Sequence, residues 1–240
     1  MEQFVQLSHY LPIFTTIISA YFSTMILRRY RQKPESKQLL WWGVGVAVYG
    51  AGTLTESLIT LLGWNVLLFK CWYISGALLG GAPLALGTVY LLSGRKAGNI
   101  ASTTVVATVV VASIFVILSP INADLVDSTI PNGKVLAWQS IRLVSPFINT
   151  FAAIFLIGGA IASAIKYFRR TGTKRLAIGN LLIAIGAILP GIGGLYSRLG
   201  RTEVLYVGEL IGILLIWRGY RSCQRPTTVK RQPADPVAVA

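Results

Sequence analysis

The sequence predicts an all-α integral membrane protein of seven transmembrane helices, N-terminus outside and C-terminus inside, and three observations carry that reading. Seven long apolar stretches are separated by short gaps. Charged residues make up 12% of the chain against 54% apolar residues, about half the charged share usual in a soluble domain. The charges gather at the ends of the apolar stretches, as juxtamembrane anchors do. The stretches are continuous rather than alternating, which excludes a β-barrel.

A helix needs about 20 apolar residues to cross the bilayer core. The expected spans are 11–27, 39–62, 66–92, 100–118, 141–165, 176–196 and 204–217. The first ends at Arg28-Arg29-Tyr30-Arg31. Its basic residues follow the apolar run instead of preceding it, so it reads as a retained signal anchor. The seventh is the shortest unless it extends from Thr202 to Tyr220. Residues 1–220 thus form one transmembrane domain, and 221–240 a basic, disordered tail containing Pro233-Ala234-Asp235-Pro236. A loop at 119–140 carries Asp124, Asp127 and the turn signal Pro131-Asn132-Gly133.

Charge sets the orientation. With the N-terminus outside, 17 of the 22 Lys and Arg fall in the inner segments 28–38, 93–99, 166–175 and 218–240. Read by location, the net charge of +14 argues for anionic lipid at a basic cytoplasmic face and against nucleic acid. The location expected is a bacterial inner (plasma) membrane. Cys71 and Cys223 lie far apart with no CxxC motif, so no disulfide is expected.

At an offset of 137, Arg29-Tyr30 aligns with Lys166-Tyr167, Gly63 with Gly200 and Leu68-Phe69 with Leu205-Tyr206. This register suggests a 3+1+3 parallel repeat, although any two apolar helices with basic ends match at several positions. The plan resembles that of the SWEET-type sugar transporters and of seven-helix rhodopsins, in plan only. No span contains a PQ dipeptide, and the last span has no lysine for a retinal Schiff base. The stretches from Trp72 to Leu79 and from Leu86 to Leu92 look like uncharacterised bacterial membrane proteins, which implies no activity.

Gly76-x-x-x-Gly80 and Gly208-x-x-x-Gly212 suit close helix packing within one bundle, or a homo-oligomer face. Pro83, Pro146 and Pro190 fall inside expected spans. Pro190-Gly191-Ile192-Gly193-Gly194 is the stretch where a helix would break open, or bend and stay closed.

Charge inside the spans is the functional signal, because an intramembrane carboxylate is costly. Glu56 and Glu209 lie at matching depth, roughly 10 Å from the same ends at 1.5 Å per residue. Lys70 and Arg142 are the expected partners of Glu56, and Arg142 or Arg198 of Glu209. With Tyr49, Trp72, Tyr73 and Tyr206 these residues make a candidate pocket in the outer half for an ion or a small polar or amphipathic ligand. Asn149 and Tyr196 lie at nearby levels. The competing reading is a salt-bridge network that sets helix register.

Enzymatic readings are thin. His9 is the single histidine, which leaves no metal or haem set and no free triad. No cofactor, metal or catalytic residue is assigned. The expectation is a small-solute transporter or permease of the plasma membrane. The alternative is a seven-helix ligand sensor or accessory membrane subunit without transport activity.

Overall fold

The computed structural model describes residues 7–126, 132–197 and 199–224. Asp127, Pro131, Arg198 and the tail from residue 225 lie outside the described residues.

Six helical segments are present among the described residues. They are α1 (Leu11–Gln32), α2 (Lys37–Leu62), α3 (Val66–Leu118), α4 (Gln139–Phe168), α5 (Lys174–Ser197) and α6 (Thr202–Gln224). Five of them, α1 to α5, are long and apolar enough to cross a membrane. The expectation of seven spans is therefore corrected to five, for two physical reasons. The expected spans 66–92 and 100–118 are the two arms of one helical segment, α3, joined through the non-helical Gly94. Helix α6 carries Glu203, Glu209, Arg218 and Arg221, so every 18-residue stretch of it holds three charges. The 3+1+3 repeat required seven spans and falls with the count, as does the outside-to-inside orientation, whose charge tally used the loops between them.

Segment α3 is not straight. Gly94, at φ 83°, is non-helical, and only glycine adopts that backbone without strain. The chain doubles back there, because the Lys70 ammonium donates to the Ile117 carbonyl at 2.6 Å. The Tyr90 ring likewise packs where a Cβ on Gly98 would stand. A π-helical turn, Tyr73–Leu79, interrupts the first arm and leads into Gly80 and Gly81 before Ala82 resumes the α-helix. A second π turn, Ala153–Gly158, interrupts α4. At Pro190 the chain stays helical, which is the closed alternative and not an opened helix. Pro83 stands at the first turn of a helix, where its missing N–H costs nothing.

The helices are inside-out by soluble standards. On α1 the buried face is Pro12, Thr15, Ser19, Phe22, Ser23 and Ile26, while Phe14, Ile17 and Tyr21 are exposed. Val106, Val110, Val111, Ile114 and Ile117 are likewise exposed on the second arm of α3. A soluble helix buries its apolar stripe and shows polar residues to water. This reversal suits a lipid solvent and supports the membrane location.

Backbone proximity holds the bundle. A Cβ on Gly186 would stand 2.6 Å from the Gly212 carbonyl oxygen, and one on Gly212 would stand 2.7 Å from that of Gly186. Gly179 faces Gly219, and Gly193 faces Leu205, so α5 and α6 run antiparallel in contact along most of their length. The glycines therefore pack within one chain, as the sequence suggested. Gly43 and Gly50 do the same for α2 against Leu27 and Ser19 of α1. Gly45 and Gly87 bring α2 and α3 together, against Leu84 and Trp42.

Candidate functional site: a buried carboxyl pair

Helix α2 ends at Gly63, at φ 85°, and α3 starts after Asn65, whose side chain accepts from the Leu68 amide at 2.9 Å. This tight turn returns α3 along α2. Gly52 and Gly76 face each other in ordinary van der Waals contact, and the Trp72 indole lies over Gly76, where no Cβ obstructs it. The indole N–H thereby reaches Glu56 and donates to Oε1 at 2.9 Å.

Glu56 is 3% exposed. From α6, the Glu209 carboxyl lies near enough for the two groups to act on one another. Two turns up α2 from Glu56, the Tyr49 hydroxyl donates to the backbone carbonyl of Glu209 at 2.9 Å. Tyr206, one turn before Glu209, is 1% exposed and meets the His9 ring edge-on at 5.4 Å. Oε2 of Glu56 and Oε2 of Glu209 are both buried and without a hydrogen-bond partner. Buried polar atoms are rarely left so. The pair therefore has acceptor capacity that the surrounding protein does not use.

Of the eight predicted residues, Glu56, Glu209, Tyr49, Trp72 and Tyr206 come together, and Lys70, Arg142 and Tyr73 do not. Lys70 donates to the carbonyls of Ile117 and Ser119, at 2.6 and 3.0 Å, and so caps the end of the second α3 arm. Arg142 donates to the side chain of Gln139. The Tyr73 ring packs among Phe69, Val116 and Ile148, with its hydroxyl 3.4 Å from Ser145 Oγ. Asn149 donates to the Ala77 carbonyl in the π turn at 3.3 Å. Depth along the helices was readable, but direction around them was not. Lys70 and Trp72 are two residues apart, which turns them about 200° from one another on a helix. With Trp72 directed at Glu56, Lys70 must point away.

Sequence reasoning missed His9, which is brought to Tyr206 only by packing, and a run of buried hydroxyls between α1 and α2. There the Thr16 and Thr53 hydroxyls meet at 2.9 Å, and Ser57 donates to the Thr53 carbonyl at 2.8 Å. The available signal was the spacing of Thr53, Ser57 and Thr60 beside Glu56 on one helix. An open groove of about 450 Å³ lies elsewhere, lined by Ala107, Thr108, Val111, Ala112, Phe115, Ile141 and Val144. It contains none of the predicted residues.

The fold and this site define an all-α protein whose long apolar helices belong in a bilayer. Compared with protein-family models, curated proteins and solved structures, the chain matches none.

Proposed function

We propose that the protein carries a small solute across a bacterial inner membrane in a proton-coupled cycle, with Glu56 and Glu209 as the proton carriers. The observation that supports this is that Glu56 and Glu209 are brought near one another with a buried, unpartnered oxygen on each. Away from water, two neighbouring carboxyl groups resist being charged together, which suits a pair that takes up and gives back one proton. Loss of that proton leaves like charges near one another and drives α2 and α6 apart, which is the opening a carrier requires. Trp72 holds Glu56 in register through the cycle, and Tyr49 ties the helices through backbone. The reading assigns the chain no catalytic chemistry.

A second reading, a ligand sensor without transport, is favoured by one feature. The π turn Tyr73–Leu79 begins directly after Trp72, so a change at Glu56 would be passed into α3.

Reconstituted vesicles with an entrapped pH dye separate the two. A transporter dissipates an imposed pH gradient when its solute is added from panels of amines, carboxylates and sugars, and Glu56→Gln and Glu209→Gln each abolish the signal while remaining folded. A gradient untouched by every solute in the panels sinks the transport reading.

A further inference from the structure

We propose that the basic end of the α1–α6 seam is a docking site for the phosphate headgroup of an anionic phospholipid, with Arg29 and the Tyr220 hydroxyl as its ligands. The tertiary structure gathers charge at this end. The last turn of α1, the turn that follows and the first residue of α2 carry Arg28, Arg29, Arg31, Lys33 and Lys37 against one acid, Glu35. The Gly94 turn of α3 reaches the same place, since Arg95 donates to the Glu35 carbonyl at 2.9 Å. The C-terminal end of α6 closes the group, with the Tyr220 ring 5.4 Å from Phe22 and 6.3 Å from Trp42.

Charge alone would mark only a membrane-facing surface. The Tyr220 hydroxyl is the second, independent observation. The residue is 7% exposed, and its hydroxyl has no hydrogen-bond partner although Arg29 and Gln224 come close. One turn earlier on the same face of α6, the Trp217 indole nitrogen is also buried and unpartnered. A buried donor is rarely left unused. A phosphate oxygen supplies the acceptor that the hydroxyl lacks, and the Arg29 guanidinium supplies the charge, in the bidentate form that suits phosphate. Below the headgroup, Tyr21 is 62% exposed and lies edge-on to Trp217 at 5.6 Å, an apolar wall along which an acyl chain can run. The occupant is thus a lipid rather than a soluble phosphate.

The test is competitive retention in nanodiscs or mixed micelles containing equal phosphatidylglycerol and phosphatidylcholine, read by native mass spectrometry. Wild-type protein should retain phosphatidylglycerol preferentially. Arg29→Gln should lower that preference about fivefold, the value of roughly one cation at an anionic surface. Tyr220→Phe should lower it severalfold with no change in melting temperature in phosphatidylcholine alone. Lys134→Gln, at a distant loop, should leave it intact. Equal retention of the two lipids, or the same preference in all variants, overturns the proposal. So does a wild-type stabilisation by inorganic phosphate that matches that by phosphatidylglycerol, since the site would then belong to the free ion.

Discussion

Gly208, Gly212 and Gly219 line the side of α6 that meets α5, whereas Tyr206, Glu209 and Tyr220 line the side that meets α1 and α2. On the first side, backbone approaches backbone at Gly186 and Gly212 and at Gly179 and Gly219, with Ile183, Pro190 and Ile216 packed beside them. Little there can move without loss of dispersion contact. On the second side, carboxyl and hydroxyl oxygens are buried without partners. One helix thus separates what holds the bundle from what the bundle can do. Close backbone packing is placed on one side, and unsatisfied buried polar atoms are placed on the other.

The sharpest way to break this comparison is to fill the glycine side. Gly212→Leu drives a side chain into the Gly186 carbonyl and the Pro190 ring. Overpacking of this kind costs about 3 kcal/mol or more, and a large fall in the melting temperature of the detergent-solubilised protein is expected. A fall of a degree or less would show that the α5–α6 contact is not what holds the bundle.

A smaller effect is expected on the polar side. Trp72→Phe removes the indole donor to Glu56 Oε1 and should cost about 1–3 kcal/mol. Glu56→Gln retains an acceptor for Trp72 and should leave the melting temperature nearly unchanged. Equal losses in the two variants would mean that the carboxyl group itself, and not its hydrogen bond, is structural.

The smallest effect concerns the pairing expected from sequence. Lys70 caps carbonyls of α3, and Glu56 faces α6, so Lys70→Met and Glu56→Gln should add without interaction, within about 0.5 kcal/mol. A larger coupling energy in that double-mutant cycle would restore the salt bridge and remove the carboxyl pair.

The legible part of the site was its depth and its residue types. Glu56 and Glu209 could be ranked at one depth from rise per residue alone, with Tyr49, Trp72 and Tyr206 at nearby levels. What failed was the assignment of partners, because mixed charges at one level invite pairing while helix rotation forbids it. The span count failed for a related reason. Two apolar stretches joined at Gly94 and one stretch with three charges per 18 residues look like spans in a list of apolar runs. They read differently once the helix boundaries are known.

By itself the sequence determined the all-α class, the lipid environment and the glycine-rich contacts, because these follow from hydrophobic length and the absence of side chains. Only the tertiary structure decided that two carboxyl groups meet each other rather than two cations. It also decided that Arg29 and Tyr220, nearly two hundred residues apart, share one end of the bundle. Both facts depend on how each helix is rotated about its axis. That rotation is set by packing against neighbours, above all at Gly52, Gly76, Gly186 and Gly212, and no single stretch of sequence carries it.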